Sequence, residues 1–330
     1  MASCGVERVA VGEVSGEAFQ HKYVRRAIPV VATGLQAAWP AQELWTEEYF
    51  RATYPDLEVA VASGTEGWKK VKMATHLSNY ARYQREHAEE GAPLPYMRTW
   101  NFLDDLPELR AHFDPGEHFK DLFKIVPPSM QPPFEWLFLG PRGVQTRLHV
   151  DVWHTDAWLA QIRGRKRFVL FHPAHRKYLE REGEQGHLEF VDLANPDREK
   201  FPDFDKAIPI ETVLQPGETI YLPRKWPHFV EGLDDSISLT VNFMCPWSKP
   251  YVLPKLKKYA ERRAMCEKLI GRTLLANDNL MKFCVHGGEI PMELANKILA
   301  AAGAAQDGDK DKENLGDADN APGEGAAAAP

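Results

Sequence analysis

Residues 134–242 form a succession of short apolar or β-branched runs divided by turn residues, and no other stretch limits the fold as sharply. The runs occupy 134–139, 145–152, 158–162, 167–171, 218–222 and 236–243, with Gly140-Pro141, Gly164, Pro216-Gly217 and Gly232 as punctuation. Each is too short for a core helix and long enough for a strand. Many short strands between tight turns predict a barrel or sandwich. The polar insert 181–205 is expected to loop outside that core.

The flanks read differently. Residues 1–133 mix strand-like pieces (Pro29-Val30-Val31-Ala32, Val59-Ala60-Val61) with helix-like ones at 46–54 and 77–90. Thr46 followed by Glu47 and Glu48 is a capped helix start, since acidic groups favour the first turn. Residues 114–133 are rich in proline and are expected as irregular coil. Downstream, Leu253, Leu256, Tyr259 and Ala260, and then Leu294, Ile298 and Leu299, recur at helical spacing and predict a helical region over 250–302. Residues 303–330, mostly Ala, Gly and Asp, are expected to be disordered. The expected organisation is α/β elements over 1–133, the β core over 134–249, then helices and tail. The class is mainly β with α.

Bulk properties remove several functions. With 44% hydrophobic and 26% charged residues, the 330-residue chain reads as a soluble globular protein. A net charge of −7 argues against a dedicated nucleic-acid surface. No apolar run reaches bilayer length, so no membrane partner is expected, and residues 1–19 lack a signal-peptide core. Cys4, Cys245, Cys266 and Cys284 show neither zinc spacing nor a dense disulfide pattern, which suggests a cytoplasmic or nuclear compartment.

The chemistry gathers at His149-Val150-Asp151. Two residues apart on a strand, the imidazole and the carboxylate project from one face. A divalent ion needs a third ligand, and His228 is the candidate, presented by a turn after the apolar run 218–222. Two histidines and one carboxylate on one face leave positions open, as in non-haem iron oxygenases. A zinc hydrolase uses the same ligand types. Lys166 bears on the choice: an inward lysine needs an anion, and the distal carboxylate of 2-oxoglutarate is one, with Thr146 and Thr240 as hydroxyl donors. Spacing alone also allows Lys166 to join an exposed cluster with Arg163, Arg165 and Arg167.

With these residues assembled, the sequence resembles the JmjC-type (jumonji) oxygenases of the cupin superfamily, and most the small hydroxylase group that includes the JmjC lysyl hydroxylases. One block runs Thr146-x-x-His149-x-Asp151, Ala157-Trp158, Gly164-x-Lys166-Arg167-Phe168, Leu170-Phe171-x-Pro173. The second runs from Pro216-Gly217-Glu218-Thr219 through Pro223, Trp226 and His228 to Asn242-Phe243. The resemblance implies a double-stranded β-helix (jelly-roll) core with Fe(II) on His149, Asp151 and His228. It also implies 2-oxoglutarate held by Lys166 and Thr146, with Thr240, Asn242 and Tyr96 around it.

The activity implied is an O2-consuming dioxygenase that hydroxylates a C–H bond, foremost on a protein side chain. An RNA or small-molecule substrate, N-demethylation, and a non-catalytic metal-binding cupin are the alternatives. Three positions depart from the family pattern: Leu159 stands where many relatives have Asn, and Arg224 and Lys225 replace turn glycines. Those two charges are either exposed turn residues or lie at the pocket mouth, where they would favour an acidic substrate segment. Trp153 and His154 are expected at the entrance. The C-terminal helices suggest a homodimer through Leu253, Leu256, Leu294 and Ile298, or packing on their own barrel.

Overall fold

Side-chain alternation along the strands sets the architecture seen in a computed structural model, which describes residues 5–63, 68–183, 188–270, 278–287 and 296. The upstream strands are β1 (Glu7–Ala10), β2 (Val30–Thr33), β3 (Glu58–Ser63), β4 (Trp68–Lys72) and β5 (Pro95–Trp100). The central ones are β6 (Glu135–Gly140), β7 (Gln145–His149), β8 (Asp156–Arg163) and β9 (Lys166–Phe171). A small hairpin follows, β10 (Glu180–Glu182) with β11 (Leu188–Phe190). The last are β12 (Pro209–Leu214), β13 (Thr219–Leu222), β14 (His228–Gly232) and β15 (Ser236–Phe243).

Two sheets carry the core. The larger has the order β1-β2-β13-β8-β15-β6-β5-β3-β4, the smaller β12-β9-β14-β7. On β15, Ile237, Leu239, Val241 and Phe243 enter a large aromatic core with Trp45, Trp158 and Phe19 on the outer side of the larger sheet. Ser236, Ser238, Thr240 and Asn242 occupy the other face. A second cluster draws Ala157, Leu159 and Ile220 from the larger sheet together with Phe168, Leu170 and Val230 from the smaller one. The two inner faces therefore pack on each other, which is the expected double-stranded β-helix. That face combines apolar and polar residues, so the barrel has a polar interior at one end.

Several expectations are refined. The run at 145–152 pairs only as far as His149 before a tight turn, Val152–His154, that carries two left-handed residues, Trp153 and His154. His228 opens strand β14 instead of lying on a turn. Strand β12 escaped notice because Pro209 and Glu211 break its apolar pattern. Proline and charge are tolerated there because β12 is a sheet edge. Helix 77–90 is two helices, Met73–Ser78 and Tyr80–Glu90, separated at Asn79. The coil at 114–133 is instead a set of short 3-10 turns that bury Phe119 and Phe123. The insert is not a bare loop either. Its Val191 and Phe201, with Leu179 just before it, pack against Leu148, Val169, Phe171 and Phe229, covering the outer face of the smaller sheet.

The chain divides into two units, residues 1–255 and 256–330. Helices span Lys249–Ile270 and Asp278–His286; Leu294, Ile298, Leu299 and the tail 303–330 lie outside the described residues. Among the described residues no helix is long and apolar enough to cross a membrane.

Candidate metal centre

His149 ends β7, and His228 begins β14 directly opposite it. Facing residues of an antiparallel pair put their side chains on the same side, and the two imidazole centroids are 4.2 Å apart. Asp151, just past the strand, turns back so that Oδ1 lies 3.9 Å from His149 Nε2 and 4.0 Å from His228 Nε2. One ligand atom from each of the three fits within a 4.8 Å span.

The donor chemistry suits a divalent cation. His149 Nδ1 lies 2.8 Å from the Arg147 carbonyl, and His228 Nδ1 lies 3.0 Å from that of Trp226. A carbonyl only accepts, so each ring carries its proton on Nδ1 and turns a bare Nε2 lone pair to the centre. Desolvation first, then the neighbouring His228, hold the His149 imidazole down to about 4, with Asp151 pulling the other way. About a third of that side chain still reaches solvent. The ring is neutral at pH 7, as ligation requires. Asp151 Oδ2 is buried with no hydrogen-bond partner among the described residues. A buried carboxylate oxygen left bare is costly unless a cation or water meets it.

Lys166 opens β9 pointing inward and is 1% exposed. It does not join its basic neighbours: Arg165 pairs with Asp234, and Arg167 pairs with Glu211 and Glu231. Its ammonium donates to the Tyr96 hydroxyl at 3.1 Å and sits 5.4 Å from the Phe138 ring centroid. No carboxylate among the described residues pairs with it, and burial alone brings its ionisation down to about 7. Burial raises the Tyr96 phenol, and the nearby Thr146 hydroxyl works against that rise. Gly140 makes room for this tyrosine, because a Cβ there would stand 2.5 Å from the ring.

Thr146 and His149 are three apart and would face opposite ways on a regular strand. A bulge corrects this: Thr146 pairs with Val230 and His149 with His228, so two residues of β7, Arg147 and Leu148, stand against one of β14, Phe229. Both side chains therefore reach the interior. Thr240 is also inside, its hydroxyl without a partner among the described residues. Asn242 reaches the loop after Asp151 instead: its Nδ2 donates to Thr155 Oγ1 at 2.8 Å, and Thr155 Oγ1 donates to the Val152 carbonyl. Leu159 is buried in the apolar barrel cluster and pairs with Thr240.

Arg224 corrects an expectation. It is neither an exposed turn residue nor at the mouth. Its guanidinium bonds the Val24 and Arg25 carbonyls and lies 3.3 Å from buried Asp156, which also accepts from Tyr221 at 2.5 Å. Lys225, at φ 67°, places its ammonium 3.7 Å from the Tyr251 ring centroid. Trp153 packs on Phe134, and His154 lies edge-on to Tyr251. Sequence reasoning missed Phe138 and the Asp156 network, because an aromatic on a strand and a lone acidic residue carry no local mark of what they face.

A jelly roll with a His-Asp-His cluster in its mouth and a buried lysine on the same inner surface defines the cupin class of metal-site proteins. Residues 16–247 match the cupin-like domain family. The chain belongs to that family, and within it to the JmjC group. It is 31% identical over 255 residues to "Arginine-specific demethylase JMJ22" of Arabidopsis thaliana, covering 74% of this chain and 47% of the relative. It is 27% identical over 301 residues to "Bifunctional arginine demethylase and lysyl-hydroxylase psr-1" of Caenorhabditis elegans, covering 87% and 72%. Against "2-oxoglutarate and iron-dependent oxygenase JMJD4" of Danio rerio the identity is 27% over 182 residues, covering 52% and 42%. Three of the matched Arabidopsis proteins are spanned over 47%, 24% and 60% of their own length.

Proposed function

We propose that the chain is an Fe(II)- and 2-oxoglutarate-dependent dioxygenase that hydroxylates a C–H bond of a protein side chain. The observation that carries this is the pairing of two unmet demands on one inner surface: the Asp151 carboxylate, with Oδ1 toward two imidazole lone pairs and Oδ2 bare, and a buried ammonium with no carboxylate partner among the described residues. His149, Asp151 and His228 would hold Fe(II). When bound, iron with 2-oxoglutarate supplies the power to spend O2 on a substrate C–H bond, yielding succinate and carbon dioxide.

The chain's own groups bind and orient. Thr146 pairs with Val230, two residues along β14 from His228, so the Thr146–Tyr96–Lys166 group lies roughly 7 Å along the strand from the imidazoles. That is about the length of a five-carbon dicarboxylate. Lys166 would pair with its distal carboxylate, Thr146 and Tyr96 would hydrogen-bond it, and the Thr240 hydroxyl inside the same barrel has no partner among the described residues. Asn242 braces the loop that carries Asp151. Leu159 supplies apolar wall where many family members place an amide.

A protein substrate is supported by the relatives whose names specify arginine demethylation or lysyl hydroxylation. With an N-methyl target, hydroxylation would end in demethylation, because the hydroxymethyl amine breaks down. A cytosolic or nuclear location is part of the proposal; its support is that Cys245, Cys266 and Cys284 are free thiols. So is a homodimer, for which Tyr251 and Leu253 leave about two-fifths of their surface uncovered whereas Leu256 is buried.

The test is a mass-spectrometric screen of peptide pools incubated with the chain, Fe(II), 2-oxoglutarate and ascorbate. Products heavier by one oxygen, formed with succinate, are expected. Oxygen gain only on RNA or small molecules would move the substrate class. No succinate above the His149→Ala background would leave a non-catalytic metal-binding cupin.

A further inference from the structure

A cleft of about 460 Å³ opens beside the co-substrate group, walled by Ala62, Leu94, Tyr96, Arg98, Val144 and Arg147, among others. None of the residues lining it is acidic. Arg98 and Arg147 have no carboxylate partner among the described residues, whereas Arg165 pairs with Asp234 and Arg167 with Glu211 and Glu231. Among the described residues the side chain of Arg98 lies over the Trp68 ring, 5.7 Å from its centroid.

Both arginines sit in irregular strand segments. Arg147 lies in the β7 bulge between Thr146 and His149. Arg98 lies where two residues of β5, Arg98 and Thr99 (the latter at φ 54°), stand against one of β6, Phe138. Bulges re-aim side chains and disturb pairing, so a strand that carries one gives up regularity for direction. Here two strands do so at one cleft. Arg98 is also close enough to the metal cluster to act electrostatically on His149.

We infer that this cleft is a docking site for an acidic segment of the protein substrate, with Arg98 and Arg147 each taking a carboxylate. Calling the ligand a substrate rests on the oxygenase reading; the site itself rests on the cleft. Guanidinium forks grip carboxylates in paired, charge-assisted hydrogen bonds, and two forks at one mouth select side chains flanking the reacting residue. The acidic-segment preference thus belongs to these two arginines and not to Arg224, which Asp156 and two carbonyls already occupy.

The test measures binding to the full chain loaded with Mn(II) and 2-oxoglutarate, by fluorescence anisotropy. The probes are a labelled lysine-centred peptide with glutamates on both sides, its glutamine counterpart, and oligouridylate. The acidic peptide is expected to bind at least about tenfold more tightly than the glutamine peptide, with affinity falling as salt rises. Arg98→Gln with Arg147→Gln removes that preference, while Arg98→Lys with Arg147→Lys keeps a clear part of it. The melting temperature and 2-oxoglutarate affinity stay within error, which separates lost docking from lost folding or a lost co-substrate entry. Equal affinity for the two peptides overturns the inference, and so does tighter, variant-sensitive binding of oligouridylate. A parallel fall in 2-oxoglutarate affinity overturns it too. Because the readout is binding, a chain that docks the acidic peptide yet releases no succinate contradicts the oxygenase reading and not this one.

Discussion

A lysine ammonium must shed its water to enter a barrel, and Lys166 has done so with one phenol oxygen and two ring faces for company. Burial holds its ionisation at about 7, against an ordinary value of 10.5. Between those two pH values the unfolded chain binds a proton that the folded chain does not, so the stability of the ligand-free protein rises with pH across that window. Below about pH 7 the penalty is fully developed. Lys166→Met has no such proton to lose. Urea unfolding of both chains from pH 7 to 10 is therefore expected to show the difference between them shrinking with pH by up to several kcal/mol. Saturating 2-oxoglutarate pairs the ammonium and should flatten that difference; a flat difference without ligand would contradict the assignment. The candidate ligands His149 and Asp151 were legible in the sequence because residue type and close spacing mark them. The inward turn of Lys166 was not, because it stands among Arg163, Arg165 and Arg167 and only the strand pairing tells it apart.

At the level of elements, what the sequence hides is register. The apolar runs gave away β6, β8, β9, β13 and β15, since alternation is a property of one strand. The bulge that lets Thr146 and His149 share a face is a property of two strands, and no residue of β7 announces it. The same holds for the turn that delivers Lys166. Gly164 links β8 to β9 at φ 66°, and a Cβ on it would run into the Asp235 carbonyl oxygen. Gly164→Ala is expected to lose roughly 2–4 kcal/mol, from left-handed strain plus the clash. Thermal melting read beside 2-oxoglutarate binding checks this. An alanine variant with unchanged melting would mean that the turn relaxes freely and does not set the position of β9. The Asp156 network does a related job from outside the barrel, fastening the β13–β14 turn to the Val24 and Arg25 carbonyls.

Taken whole, the molecule places a polar chamber inside an apolar jelly roll. Helices and 3-10 turns pad the larger sheet, and the insert after β9 covers the smaller one. The chain's net charge is −7, yet the cleft beside the chamber is lined by two arginines and no acid, so an anionic partner meets a local field opposite to the global one. Sedimentation of the full chain decides the dimer: twice the chain mass is expected, and the mass of a single chain excludes it. In the proposed site three side chains would hold a metal while Lys166 receives the far end of a dicarboxylate. Calorimetric titration of 2-oxoglutarate into the Mn(II)-loaded chain tests it most directly. Saturable one-to-one binding is expected, lost without metal and in Asp151→Ala, and weakened at least about a hundredfold in Lys166→Met, since a buried charge-assisted pair is removed. Binding that is absent from the unaltered chain, or that survives Lys166→Met undiminished, would contradict it.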